Sequence, residues 1–423
     1  MPVGFCWLRK VLCAVAALGL CSASIADEAR LFTARPLNFD RAGGKVVAVY
    51  VGNWTGTDRL ARLPANGLTH LLYAFLHVCG PGQLAADAEA CQGKPDFELA
   101  TGSHDAQFDA AFAELKRRAP QLKVLASIGG WGGSDPFFHL ANDPVHRAVL
   151  AASVQQFLRT HPAFDGVDID WEHPGDNGAA NGVALGSPQD GQGYADLMSD
   201  LRRGLDRLAM ETGRRYQLST AVNPAARIVD CIHFQQAEPS LDLIFMMSYD
   251  FYGPWTAQAG HHSALRSPAG VRLSQVDDSV EASVDHLLRA GIPASKLVVG
   301  VAMYGRGFTG VAKPVQGAPR DGVYEGADGS MAYSEIAAGL LDGAGRGTHG
   351  YQLVFDRDRG AYGLYKRQCQ CWMTYDDPRA VLAKGEFVRQ HGLAGLFAWE
   401  LSQDNGDLLN AMQQGLGNAV LPR

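Results

Sequence analysis

The run FDGVDIDWEHPG, residues 164–175, places four carboxylates within eight positions: Asp165, Asp168, Asp170 and Glu172. Residues two apart on an extended chain share a face. Asp168, Asp170 and Glu172 therefore line one face, with Ile169 and Trp171 on the other; Asp165 has the opposite parity and reads as structural. Three acids crowded on one face cannot all ionise cheaply, because desolvation and like charge each raise a carboxyl pKa. Asp168 and Asp170 are expected to share a proton, and Glu172 to stay protonated near neutral pH. A carboxyl that keeps its proton is the general acid that glycosidic bond cleavage requires. A Ca²⁺ loop would need turn-formers between its acids; Val167, Ile169 and Trp171 stand there instead.

A strand that buries such a face needs a closed surround. Eight short apolar runs recur after residue 45: 45–54, 68–78, 123–131, 164–172, 216–224, 241–250, 296–308 and 392–401. Amphipathic stretches at 108–119, 194–211, 280–291 and 378–392 fall between several of them. Apolar strands alternating with helices imply a parallel sheet covered by helices, and eight units imply an α/β fold, the (β/α)₈ TIM barrel. In that barrel the three acids point into the lumen, with Glu172 nearest the C-terminal mouth. Residues 309–373 are too many for one loop and read as a small α+β insertion between strand seven and helix seven. The expected organisation is a lead-in at 27–44, a barrel at 45–308 and 374–415, and the insertion at 309–373.

Arg9 and Lys10, the apolar run at 11–21 and the small residues Ser24 and Ala26 read as a signal peptide over 1–26. Export to the periplasm or the medium is the expectation, with no membrane association after cleavage. The formal charge of −7 and the lack of a basic stripe argue against a nucleic-acid partner. Cys79 and Cys91 bracket a Gly/Pro-containing loop and are the expected disulfide. Cys369 and Cys371 make a poor metal site by themselves; pairing of one with Cys231, or a free thiol, is expected instead. His261 and His262 are adjacent, point apart in extended chain, and read as loop residues. The glycines of GGWGGS, 129–134, lack the Lys-Ser/Thr of a phosphate loop. No metal or cofactor is expected.

The acidic strand fits the DxxDxDxE signature, and the chain resembles glycoside hydrolase family 18, the chitinases, in particular bacterial ones with an α+β insertion. KVLASIGGW resembles the family's SxGG strand at Ser127, Gly129 and Gly130. MSYDFYG matches MxYD at Met247, Tyr249 and Asp250; YGRGF matches strand seven at Tyr304 and Arg306; FAWEL places Trp399 on strand eight. The resemblance covers roughly 45–415. It implies that Glu172 protonates the glycosidic oxygen while the substrate's 2-acetamido carbonyl attacks the anomeric carbon, giving an oxazolinium ion and retention. Asp170 would accept the acetamido N–H, Asp168 would tune Asp170, and Tyr249 would donate to the acetamido oxygen. Met247, Asp250, Tyr304 and Arg306 would bind sugar. Sugar rings stack on aromatic faces, so Trp399 should floor the cleft, with Trp131, Trp255 and Tyr73 lining it. His173 and Phe308 stand where relatives often carry Tyr or Phe, and Trp, respectively. The implied protein is a monomeric chitinase acting on chitin or chitooligosaccharides. The weighed alternatives are an endo-β-N-acetylglucosaminidase and a non-catalytic lectin.

Overall fold

A computed structural model describes residues 31–324 and 328–422; the expected signal peptide and Arg9–Lys10 lie outside these residues. Eight parallel strands close a barrel: β1 Val46–Gly52, β2 His70–Val78, β3 Lys123–Gly129, β4 Gly166–Asp170, β5 Gln217–Val222, β6 Leu243–Met246, β7 Leu297–Ala302 and β8 Gly395–Trp399. Each pairs with the next, and β8 pairs with β1, so no barrel edge is left open. Each of the eight apolar runs contains one barrel strand.

Helices cover the outside at Ser103–Arg118, Pro144–Thr160, Asp190–Thr212, Val280–Arg289, Pro378–Gln390 and Asp407–Gly415. Local chemistry starts several of them. The Asp143 carboxylate accepts from Val145 N at 2.7 Å ahead of Pro144, Ser279 Oγ caps Ala282 N at 3.1 Å, and Asp377 caps Arg379 N at 2.9 Å ahead of Pro378. The stretch 144–160 is absent from the sequence reading because its apolar stripe is interrupted by Arg147 and Gln155, both buried. Two cores result. Val, Leu and Phe side chains fill the layer between strands and helices. A smaller cluster fills the lumen, with Tyr50, Leu72, Phe245, Val298 and Phe397.

The insertion begins earlier than expected. Strand 304–309 does not continue β7; it pairs antiparallel with Cys371–Tyr375 in a separate sheet that continues through Ala361–Lys366 to Gln352–Asp356. The boundary therefore moves from 309 to 304 at one end and from 373 to 375 at the other. The apolar run 296–308 hides the break, because both halves are buried. Met303 is the joint: its N–H donates to Trp399 O at 2.8 Å and its carbonyl accepts from Tyr333 N at 2.9 Å. The lead-in packs on the last helix, where Asp407 Oδ1 accepts from Thr33 N and Ala34 N at 2.7 and 2.8 Å.

Cys79 and Cys91 are bonded, as expected; Cys369 and Cys371 bond to each other and not to Cys231, a correction that leaves Cys231 free and exposed among the described residues. Between barrel and insertion lies a buried ion pair. Lys384 Nζ is 2.7 Å from Asp376 Oδ2 and 2.6 Å from Ser263 Oγ, and Asp376 Oδ2 also accepts from Ala302 N at 2.9 Å. Losing one member strands a buried charge. Lys384→Met should cost about 3–5 kcal/mol in urea unfolding, and Lys384→Met with Asp376→Leu should recover much of that loss. A single variant as stable as the parent would disprove this account.

Candidate active site

β4 carries the acids as its alternation requires. Asp168 is fully buried in the lumen and accepts from three hydroxyls: Tyr50 Oη at 2.9 Å, Ser127 Oγ at 2.8 Å and Ser219 Oγ at 2.7 Å. Ser127 and Ser219 are its register partners on β3 and β5, so pleat and pairing deliver the donors. Burial raises the Asp168 pKa while the three hydroxyls oppose the rise. Among the described residues no hydrogen bond joins Asp168 to Asp170, so the expected proton sharing is not seen as a direct bond; the hydroxyls occupy Asp168 instead. Asp170 is pushed well above the ordinary carboxylate range by burial, then by Glu172 and Asp168. Its Oδ1 is buried and has no hydrogen-bond partner.

Glu172 sits past the end of β4, with its side chain partly open to solvent. Burial, and then the charge of Asp250, raise its pKa to about 8. Its backbone is anchored by Ser134, whose Oγ accepts from Glu172 N at 3.0 Å and donates to Asp170 O at 2.8 Å. Gly129 makes this approach feasible: it has φ +112°, and a Cβ there would lie 2.2 Å from Asp170 O. Asp165, of opposite parity, pairs with Lys116 at 2.6 Å outside the lumen.

The loop after β6 brings Met247, Tyr249 and Asp250 to the mouth. Met247 and Tyr249 pack against the lumen cluster. Gly300 permits this, since a Cβ there would meet the Tyr249 ring at 2.8 Å. Burial and the neighbouring acids hold the Tyr249 phenol well above its ordinary pKa, so it remains a donor. Asp250 takes left-handed backbone, φ 58°, which Asp tolerates and which re-aims a residue of the wrong parity. Arg306 grips it with Nε to Oδ1 and Nη2 to Oδ2, both at 2.9 Å, and Nη1 reaches Asp328 at 2.8 Å. Burial would raise the Asp250 pKa, but His262 and Arg306 win and hold it far below the usual range. Tyr304 and Arg306 thus join the site from the insertion sheet, not from a barrel strand.

Aromatics form the cleft. Trp399 stacks on Phe75 at 5.5 Å and lies 5.3 Å from Tyr50 and 6.1 Å from Trp54. Trp54, Trp131 and Trp255 are 58–59% exposed, unusual for Trp and suited to stacking a ligand. Trp255 lies over the Arg306 guanidinium at 5.0 Å, and Trp131 is 6.4 Å from the His173 ring. Tyr73 is a correction: it faces the helices, packs against Phe108 at 4.9 Å and donates to Asp105 at 2.7 Å. A register shift between Tyr73 and Leu76 in the β2–β3 pairing turns Phe75 inward, so Phe75 supplies the aromatic expected of Tyr73. Phe308 is buried on the insertion sheet beside Trp372. His261 and His262 lie on a loop, as expected, but both are buried. Sequence reasoning also missed Tyr50, Ser134, Ser219 and Trp54. Trp54 was findable, since it follows a strand end as Trp131 and Trp255 do; Ser134 was not.

A barrel whose mouth holds a protonated acid above a buried carboxylate, between exposed tryptophans, has the layout of a glycoside-cleaving site. Residues 46–404 match the family described as glycosyl hydrolases family 18. Chitinase A of Pseudoalteromonas piscicida is 36% identical over 90% of this chain and 53% of its own length, and the probable endochitinase of Orgyia pseudotsugata multicapsid polyhedrosis virus is 35% identical over 88% and 73%. This chain thus spans about half the length of the former. A family 18 N-acetylglucosaminidase from Paenibacillus barengoltzii superposes with a TM-score of 0.72 at 30% identity, covering 88% of this chain and 99% of that one. The chain belongs to glycosyl hydrolase family 18.

Because burial and Asp250 both raise its pKa, the Glu172 carboxyl should lose its proton only as pH rises through about 8. Carboxyl ¹³C NMR should show this midpoint, and Asp250→Asn should lower it. A Glu172 midpoint near the ordinary 4.3 would contradict the geometry.

Proposed function

We propose that this chain is an exported chitinase that hydrolyses β-1,4-linked N-acetylglucosamine polymers with retention, by substrate-assisted catalysis. The carrying observation is the pairing of Glu172, with pKa raised to about 8, with an Asp170 whose buried Oδ1 has no partner. Glu172 donates its proton to the glycosidic oxygen, the C1–O bond breaks, and the leaving chain departs as an alcohol. The substrate's acetamido oxygen bonds to C1, forming the oxazolinium. Asp170 accepts the acetamido N–H and offsets the positive charge. Tyr249 donates to the acetamido oxygen as the ring forms. Glu172, now ionised, takes a proton from water, which attacks C1 from the leaving-group side and opens the ring with retention. Asp168, held by three hydroxyls, acts on Asp170 through its charge, which raises the Asp170 pKa.

Trp399, Trp131, Trp255 and Trp54 stack successive sugars, with Phe75 beneath Trp399; Met247, Asp250, Tyr304 and Arg306 fix the sugar at the cleavage point. The insertion wall and the row of exposed tryptophans favour a linear polymer over a protein-linked glycan. The names of the relatives support the same substrate class, while the N-acetylglucosaminidase neighbour makes single-sugar release the second reading. No helix of the described residues is long and apolar enough to span a membrane.

Glu172→Gln should cut kcat on N-acetylglucosamine oligomers by at least about 100-fold while oligomer binding persists, since general acid catalysis contributes roughly 10²–10⁴. Product analysis by mass spectrometry separates the readings: dimers and longer products indicate the chitinase, monomers alone the exo-acting enzyme. Near-native turnover by the Gln variant would end the acid assignment, and cleavage of a glycoprotein but not of oligomers would end the substrate assignment.

A further inference from the structure

The His261-His262 pair has no part in the mechanism above, yet His262 is fully buried against the site. Its Nδ1 lies 3.6 Å from Asp250 Oδ1, and its ring is 5.3 Å from that of Tyr304. Its backbone is fixed at both ends: the N–H donates to Thr374 Oγ1 at 3.3 Å, and the carbonyl accepts from Phe251 N at 3.1 Å. Both ring nitrogens are buried, and neither makes a hydrogen bond within 3.5 Å. A buried polar group left unpaired is costly, and the Asp250 carboxylate is an acceptor close to Nδ1. In the neutral ring the proton therefore belongs on Nδ1, facing Asp250, where a shift of a few tenths of an ångström completes the bond. Catalytic hydrogen bonds often tighten only when ligand arrives.

The charged groups around the ring come from three elements. Asp250 follows β6, Arg306 and Tyr304 belong to the first insertion strand, and Asp376 immediately follows the last one. Each carboxylate already has its cation. Arg306 makes two hydrogen bonds to Asp250, and Lys384 lies 2.7 Å from Asp376. A proton added to His262 is therefore an extra positive charge in a dry site. Burial accordingly lowers the pKa of the imidazole, while Asp250 and Asp376 pull the other way.

We propose that His262 is a positioning residue and an acid-side switch: neutral, it holds Asp250 through Nδ1–H, and protonated at Nε2 as well, it suppresses turnover. The second half rests on the reading given under Proposed function. That reaction builds positive charge on the sugar, which an added cation beside Asp250 opposes. The same cation offsets the Asp250 charge that helps Glu172 keep its proton.

The sign of the effect follows. The wild-type enzyme loses kcat as pH falls through the His262 midpoint, which lies below the ordinary 6.5. His262→Gln keeps an N–H for Asp250 but cannot take the second proton, so its acid limb should move down by about one pH unit or more. The limb near 8 set by Glu172 should stay where it is in that variant. His262→Phe fills the space without the N–H and should lower kcat at pH 7 by about tenfold with KM little changed, as expected for a misplaced catalytic group. A thermal melt of each variant separates misfolding from misplacement. A readout without substrate keeps this distinct from the chitinase reading: in ligand-free protein, the His262 imidazole followed by ¹³C NMR should titrate at lower pH in Asp250→Asn than in wild type. An unmoved acid limb in His262→Gln refutes the switch, and an unmoved NMR midpoint in Asp250→Asn refutes the pairing. If the wild type does not cleave oligomers at all, the chitinase reading fails while the NMR result still judges the pair.

Discussion

Everything at the mouth of this barrel depends on the cost of keeping carboxylates out of water. A closed strand ring filled by Tyr50, Phe245 and Phe397 leaves little solvent near β4, and a buried ionised acid without partners is expensive. The chain meets that cost differently at each level. Asp168, the deepest, receives three hydroxyl donors. Asp170, one pleat repeat higher, has none at Oδ1 and is pushed up by burial and by both acidic neighbours. Glu172 stands at the rim and holds its proton to about 8.

The counterpart is Asp250. Arg306 fixes it from two sides of one guanidinium, so it stays ionised a short distance from an acid that does not. Environments that drive two carboxyls apart in pKa are how a protein assigns acid and base roles. The guanidinium comes from the insertion sheet, and that sheet is tied to the barrel by Met303 and by the buried Lys384–Asp376 pair. The insertion is thus part of the electrostatics of the site as well as a wall beside it. A loop rearrangement that moved the strand at 304–309 would release Asp250 and alter Glu172 without touching β4.

Much of this was legible in advance, and particular residues show why. Eight apolar runs placed all eight barrel strands, and the two-residue repeat placed Asp168, Asp170 and Glu172 on one face. Both readings rest on local periodicity, which survives whatever the chain packs against. Tyr73 failed because the same periodicity breaks at a register shift, and only the pairing with β3 reveals it. Tyr304 and Arg306 looked like the end of a barrel strand because an apolar run does not say which sheet it will join. His261 and His262 are loop residues, as their sequence suggests, but their burial is not legible there, because it comes from packing against an insertion strand more than a hundred positions away.

What the sequence alone determined is the set of acids, their shared face, the barrel that must enclose them and the family. Alternation and hydrophobic patterning are properties of neighbouring residues, so no folded partner is needed to read them. Tertiary structure alone decided who answers each charge: Tyr50 and Ser219 for Asp168, Arg306 and His262 for Asp250, Ser134 for the backbone of Glu172. Those partners lie 38 to 118 positions away except for His262, and His262 faces Asp250 only because its loop folds back. Electrostatic interaction depends on distance in space and on the exclusion of water, and neither is a function of position along the chain.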